Sequence, residues 1–264
     1  MSQEKESVRE FYSAIAQSGK GCCGPAPCGG AADTAERIGY TAQEISAIPE
    51  GANLGLGCGN PLALAGISPG ETVLDLGCGG GFDVFLAAAR VGPAGRVIGI
   101  DMTPEMIERA RSSASQAGLK NVEFRLGEIE QLPVEEASID LVISNCVLNL
   151  VPDKEKAFRE IARVLKPGGR FAIADIVLDK PLPEVFKKSK SAYASCISGA
   201  IDRRAYLRGL EKAGLTEVTV VSEADAAELF GGGCCGPGAE LKGVITSIRV
   251  TGRKPSADRP SSAE

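Results

Sequence analysis

The stretch Val73-Leu74-Asp75-Leu76-Gly77-Cys78-Gly79-Gly80-Gly81-Phe82-Asp83 decides the reading of this chain. It closes an apolar run, passes through a loop that is mostly glycine, and opens the amphipathic segment FDVFLAAARV. A strand, glycine loop and helix in that order let a ligand approach bare backbone. A dinucleotide site asks for glycine at 77, 79 and 82, yet position 82 is Phe; a P-loop asks for a Gly-Lys-Ser/Thr ending that is missing. Asp75 at the base of the loop repels a pyrophosphate and attracts a cationic amino group, so the expected ligand is zwitterionic. Asp101 ends the next apolar run, where an acidic residue bonds ribose hydroxyls in this architecture, which points to a nucleoside. A plain tight turn with Asp101 as a helix cap is the alternative, and the combination with Asp75 weighs against it.

Outward from the loop, apolar runs alternate with amphipathic segments: TVLDLG, FDVFLAAARV, RVIGID, TPEMIERARSSASQAG, NVEFRLG. This βαβαβ pattern predicts a parallel sheet covered on both faces. Thr103 is the expected N-cap of the second helix, Pro104 suits its first position and Gly118 its end. A fourth strand, IDLVISN, precedes a helix from Asp153 that Lys166-Pro167-Gly168-Gly169 should stop. There follow a fifth strand RFAIADIV, a helical stretch over 184–200, a helix from Asp202 to Ala213, and strands EVTVVS and KGVITSIRVTG. Before the loop, residues 1–20 read as a helix with Val8, Phe11, Tyr12 and Ile15 on one face, GCCGPAPCGGAAD as a thiol-bearing loop, and AQEISAIP as a short helix. The expected organisation is a segment 1–69, a core 70–180, a C-terminal part 181–253 completing the sheet, and a disordered tail 254–264.

The chain has 264 residues, 44% hydrophobic and 24% charged, enough to bury one large core. A net charge of -5 and no Lys/Arg run argue against a nucleic-acid partner. The N-terminus MSQEKESVREFY lacks an apolar secretory core, and no run of about 18 apolar residues predicts a membrane span, so a cytoplasmic protein is expected. Histidine is absent, which removes the usual general base and every Ser-His or Cys-His pair. Nine cysteines remain, and in a reducing compartment they read as ligands or redox groups rather than structural bridges.

VLDLGCGGGFD resembles the hallmark loop of the class I S-adenosylmethionine-dependent methyltransferases, and GIDMTPEM (99–106), GEIEQLP (127–133), SNCVLNLVPDK (144–154) and LKPGGR (165–170) follow in that superfamily's order. The resemblance covers 70–252. It implies a Rossmann-like α/β fold with a seven-stranded, mostly parallel sheet, a cysteine-bearing N-terminal segment and a small C-terminal substrate-binding annex. It also implies a cofactor set: Gly77 and Gly79 beside the methionine moiety, Asp101 on the ribose, Met102 and Ile129 about the adenine, Glu128 on its amine, with Asp75, Cys78, Gly127 and Asn145 completing it.

Cys146 follows the fourth strand at the rim where a methyl acceptor enters, Cys58 lies in NLGLGCGNP, and Cys196 in SAYASCISGA. Any one of them could pack as a small hydrophobe. Structural zinc is disfavoured, because Cys22-Cys23…Cys28 and Cys234-Cys235 are not paired C-x-x-C knuckles. Soft thiolates select thiophilic centres, and a trivalent metalloid takes three sulfurs while keeping a lone pair that needs no base to become a nucleophile.

The cysteine layout of NLGLGCGNP, SNCVLNLVPDK, CISGA and the upstream CCG segment closely resembles the arsenite methyltransferases. That resemblance implies methylation of As(III), or its thiol conjugates, from S-adenosylmethionine. Cys146 and Cys196 become the arsenic-binding pair and Cys58 the third thiolate. It further implies a redox partner for Cys58 among Cys22, Cys23 and Cys28, with spacing favouring Cys28, and a thiol reductant, glutathione or thioredoxin, as co-substrate. Cys22, Cys23, Cys234 and Cys235 are candidates for metalloid capture, and a monomer is expected. The alternatives are a methyltransferase of a quinone- or sterol-like molecule, which should tolerate serine at 58, 146 and 196, and a metalloid-binding protein without turnover.

Overall fold

The computed structural model describes residues 3–18, 30–187, 192–193, 196–230 and 238–256. Cys22, Cys23, Cys28, Cys234 and Cys235 lie outside the described residues, as do 257–264.

The apolar runs become one sheet. Its strands are β1 (Thr72–Leu76), β2 (Arg96–Asp101), β3 (Val122–Leu126), β4 (Ile139–Asn145), β5 (Leu165–Leu178), β6 (Thr216–Asp225) and β7 (Ile245–Arg253). They lie in the order β3-β2-β1-β4-β5-β7-β6, with β1 to β5 parallel and β7 antiparallel to both β5 and β6. This is the seven-stranded, mostly parallel sheet expected from the sequence.

The helices are α1 (Gln3–Ser18), α2 (Ala31–Arg37), α3 (Ala42–Ala47), α4 (Phe82–Val91), α5 (Pro104–Gln116), α6 (Lys154–Val164) and α7 (Arg203–Lys212). α6 and α7 cover one face of the sheet, where Phe158 and Tyr206 pack edge to face with centroids 5.2 Å apart over Phe171 and Ile173. α4 and α5 cover the other face through Val84, Ala87, Ile107 and Ala110. After β1 the chain builds toward β2 and β3, then returns to lay β4 on the opposite side of β1. The carboxyl ends of β1 and β4 therefore form the switch point at which open α/β sheets bind ligands.

Three local expectations are corrected, and a fourth, the Thr103 N-cap, holds in position only. The 184–200 stretch is no continuous helix: among its described residues Glu184–Lys187 and 192–193 are helical, and by Cys196 the backbone is left-handed (φ 64°), which a helix cannot contain. The loop expected through GCCGPAPCGGAAD ends in a helix, α2, whose Asp33 carboxylate accepts from Gly30 N–H. Thr103 holds the N-cap position of α5 without its side chain capping; Asp101 Oδ1 instead accepts from Thr103 N–H. α6 stops at Val164, and Lys166-Pro167-Gly168-Gly169 runs within β5, with Gly168 at φ 78°. Lys254 donates to Gly169 and Leu165 carbonyls.

Candidate active site

Beyond β1 the chain turns through Gly77, Gly79 and Gly81, all at positive φ. A Cβ on Gly77 would stand 2.4 Å from Val147, so no side chain fits there, while one on Gly79 would meet open space. Gly79 thus faces bare backbone into a cleft of about 260 Å³ lined also by Asp75, Asp101, Met102, Glu128, Ile129 and Asn145. Asp101 is held by Gly79 N–H (3.0 Å) and Thr103 N–H (2.9 Å), and Gly127 N–H donates to its carbonyl. Gly77, Cys78 and Gly127 line it as well, so all ten residues expected to hold the cofactor border this one cleft.

The cradle is acidic. Burial pushes Asp75 well above the usual carboxylate range, with the charges of Asp83 and Asp101 adding to it. Burial likewise raises Asp83 to about 6 against the hydrogen bonds from Tyr40 and Asn145, and raises Asp101 against its backbone donors. Three desolvated carboxyls suit a ligand carrying positive charge.

The sequence does not announce α1's part. Lys5 reaches from α1 to Glu128 (2.6 Å) and Glu130 (2.5 Å), and Val8, Phe11 and Tyr12 line the cleft. Its hydrophobic face was legible; its partner was not.

The thiols gather beside the cradle. Cys58, Cys146 and Cys196 belong to one apolar cluster with Val8, Ile176, Phe186 and Ile245. Cys146 follows β4 with φ 60°, and Cys196 sits at φ 64°; only four non-glycine residues among those described have positive φ, and such strain is over-represented at functional sites. Cys196 Sγ donates to the Cys146 carbonyl, and the sulfurs of Cys58 and Cys146 lie within 4.8 Å of each other. Cys146 and Cys196 line the same cleft as the glycine loop. Burial raises the thiol of Cys58 and pushes that of Cys146 well above its ordinary value. Cys78, buried in the glycine loop, is likewise held well above it by burial and by Asp101. The four described cysteines are all free.

Two polar systems hold this arrangement; of their central residues the sequence reading singles out Asn145, as part of the cofactor set, but not Tyr40 or Asp175. Asn145 Nδ2 donates to Gly59 O (2.7 Å), Tyr40 Oη (3.1 Å) and Asp83 (3.3 Å), while its Oδ1 accepts from Cys58 N–H (3.1 Å). One side chain thereby ties the Cys58 loop to the cradle; Tyr40 completes the tie by donating to Asp83 Oδ1 at 2.6 Å. The second system centres on Asp175, whose carboxyl oxygen and the sulfurs of Cys58 and Cys146 lie within 4.8 Å of one another. Burial raises Asp175 to about 7 against Ile176 N–H, Lys154 and Tyr206, and burial lowers Lys154, so desolvation outweighs their mutual attraction. A carboxylate inside the apolar run RFAIADIV was the available signal for Asp175; nothing local marked Tyr40.

A family model described as a methyltransferase domain matches residues 67–214. An arsenite methyltransferase of Halobacterium salinarum is 43% identical over 97% of this chain and 68% of that protein. The chain belongs to the arsenite methyltransferase family. Another family member, the arsenite methyltransferase of Aquipseudomonas alcaligenes, is 33% identical over 83% of this chain and 64% of that protein. The crystal structure of an arsenic(III) S-adenosylmethionine methyltransferase from Chlamydomonas reinhardtii superposes with a TM-score of 0.61 at 30% identity, covering 89% of this chain and 76% of that one. The chain spans about two thirds of the length of the two curated relatives. Family and fold bear out the S-adenosylmethionine-dependent methyltransferase expected from VLDLGCGGGFD and the motifs after it. Among the described residues, no helix is long and apolar enough to cross a membrane.

Proposed function

We propose that this chain methylates trivalent arsenic held by Cys58, Cys146 and Cys196. The observation that carries this reading is the meeting of three cysteines from distant stretches, two of them lining the cleft of the glycine loop. Neutral thiols suit arsenous acid: each As–OH is exchanged for As–S with its thiol proton leaving in water, and no net charge is buried. The arsenic lone pair then attacks without a general base, which agrees with a chain that has no histidine. S-adenosylmethionine supplies the electrophilic sulfonium methyl. Gly77 and Gly79 admit its methionine part, Asp75 draws its ammonium, Asp101 takes the ribose, and Met102, Gly127, Glu128 and Ile129 enclose the adenine, while Cys78 packs beneath.

Methyl transfer raises arsenic from trivalent to pentavalent, so two electrons must return before a second round. Cys58 and one of Cys22, Cys23 or Cys28, with Cys28 favoured, supply them by closing a disulfide, which glutathione or thioredoxin reopens. Residues 1–69 then contribute α1 and the redox thiols, 70–180 the cofactor core, 181–253 the sheet edge and Cys196, and 254–264 a tail. Cys22, Cys23, Cys234 and Cys235 capture the metalloid. The role is arsenic detoxification by a monomer in the reducing cytoplasm.

The test is purified protein with arsenite, S-adenosylmethionine and a thiol, followed by separation of arsenic species. Mono- and dimethylated products that vanish with Cys146→Ser are expected; unchanged arsenite, or products that survive Cys146→Ser, would overturn the reading. Mass spectrometry after one turnover should find Cys58 bridged to an upstream cysteine.

A further inference from the structure

Asp175 stands beside thiols in a place that methyl transfer to arsenic does not require. The sheet puts it there: β4 and β5 pair with Asn145 opposite Ala174, so Asp175 and Cys146 each lie one residue beyond that pair. Cys58 arrives from the other side, its carbonyl accepting from Ser247 Oγ at 2.7 Å, and Ser247 on β7 pairs with Ile176. A carboxyl oxygen and two sulfurs thus come within 4.8 Å of one another. Cys196 Sγ stands just outside that triangle, donating to the Cys146 carbonyl.

The carboxylate is aimed. Asn149 Nδ2 (2.7 Å) and Ile176 N–H (2.9 Å) donate to Oδ1, and Tyr206 Oη (3.1 Å) donates to Oδ2; Asp175 and Tyr206 are almost completely buried. Outer partners of this kind orient a ligand and raise its affinity. The Lys154 ammonium, which faces Asp175 and donates to the Asn149 and Val151 carbonyls, offsets part of the negative charge.

A metalloid with a lone pair takes a pyramid of three sulfurs and leaves no vertex for a fourth donor. A divalent d¹⁰ cation has no lone pair, prefers four donors in a tetrahedron, and accepts carboxylate oxygen beside thiolate sulfur. We propose that Cys58, Cys146 and Asp175, with Cys196 as fourth donor, form a binding site for a thiophilic divalent cation, Zn²⁺ or Cd²⁺, which competes with the methyl acceptor for the same sulfurs. Each thiol releases its proton to solvent as its metal–sulfur bond forms, and no electron moves. Asp175 is then the residue that separates the two kinds of occupant: it ligates the cation and not the metalloid.

The probe is Cd²⁺. The full chain, with Cys22, Cys23, Cys28, Cys234 and Cys235 changed to Ser and the remaining thiols kept reduced by a phosphine, is titrated while the sulfur-to-cadmium absorption is followed. One equivalent should bind, with a ¹¹³Cd resonance shifted from the all-sulfur position toward mixed sulfur and oxygen coordination. Asp175→Asn should weaken Cd²⁺ by at least about 10-fold, the lower end for perturbing even a ligand's outer partner, while changing As(III) affinity by less than about 3-fold. No absorption in the five-serine protein, equal Cd²⁺ affinity in Asp175→Asn, or an all-sulfur ¹¹³Cd resonance would each overturn the site. Should Asp175→Asn not fold, the resonance of the parent protein decides alone. Competition between Cd²⁺ and arsenite in turnover rests on the arsenic reading: bound cadmium without any arsenic methylation sinks that reading and leaves the metal site standing.

Discussion

The glycine cradle and the thiol pocket share a wall, yet they are built in opposite ways. The cradle is local: residues 73–83 and 99–106 fold next to each other, and much of its contact surface is backbone, with Gly77 excluded from carrying a side chain by Val147 at 2.4 Å. The pocket is assembled at long range from positions 58, 146, 175 and 196, each delivered by a different element and two of them held in left-handed backbone. The cradle is lined by buried carboxyls and the pocket by desolvated thiols, and burial pushes both kinds of group toward their neutral forms; on the proposed function the first would meet a cation and the second would exchange ligands. Binding and chemistry are therefore separable by mutation, except where Asn145 joins them.

The largest separation is expected from Cys196→Ser. Arsenite turnover should fall by at least about 100-fold, since even outer-shell changes at a ligand reach that size. S-adenosylmethionine affinity, measured by calorimetry, should stay within about twofold because Cys196 belongs to the other wall. A parallel loss of cofactor affinity would mean that the two regions are one site.

Asn145→Ala should break the separation. It strips the Cys58 loop of an acceptor and leaves Cys58 N–H, Tyr40 and Asp83 without their shared partner. Unsatisfied buried groups cost about 1–3 kcal/mol, so cofactor Kd and arsenite KM should both rise, each by about 10-fold. A change in one constant alone would show that Asn145 serves one region and does not couple them.

Acidity tests the cradle by itself. Asp83 lies at about 6, so on acidification through that range it takes up a proton that an incoming cation must expel, and burial raises Asp75 and Asp101 in the same direction. Cofactor affinity should therefore weaken several-fold from about pH 7.5 to about pH 5.5, with proton release seen by calorimetry in buffers of different ionisation enthalpy. An affinity that is flat or rises on acidification contradicts the charge assignment.

The smallest effect is assigned to Cys78, a thiol of the cradle rather than the pocket. Cys78→Ala should shift kcat and the KM for S-adenosylmethionine by less than about threefold, in the range of substitutions away from special features. A loss comparable to that of Cys196→Ser would erase the distinction between packed and ligating cysteines.

What could be read from the chain follows the same division. The strands βα by βα, the glycine loop and Asp101 are encoded within windows of ten or so residues, where hydrophobic period and turn chemistry act directly. The 184–200 stretch misled because its apolar residues serve a pocket and not a helix face: Gly199 packs so close to Asn149 O that a Cβ would stand 1.9 Å from it. Thr103 takes the N-cap position as read, but its hydroxyl bonds Asp101 rather than the first N–H groups of α5. Lys5 and Tyr40 could not be singled out, since a salt bridge or hydrogen bond spanning 43 to 125 residues leaves no local period, whereas Asp175 had a local signal, a carboxyl inside an apolar run, but partners 26 and 31 residues away.

By itself the sequence determined a parallel-sheet fold with a glycine loop at its ligand edge and a chain rich in thiols without imidazole, because these depend on residue type and near spacing. Only the tertiary structure decided which sulfurs meet, that Asn145 ties their loop to the cradle, and that a carboxylate joins them. The reason is geometric: the register of β4 on β5 and the reversal of strand order beside β1 set those distances, and neither is a property of any short stretch of chain.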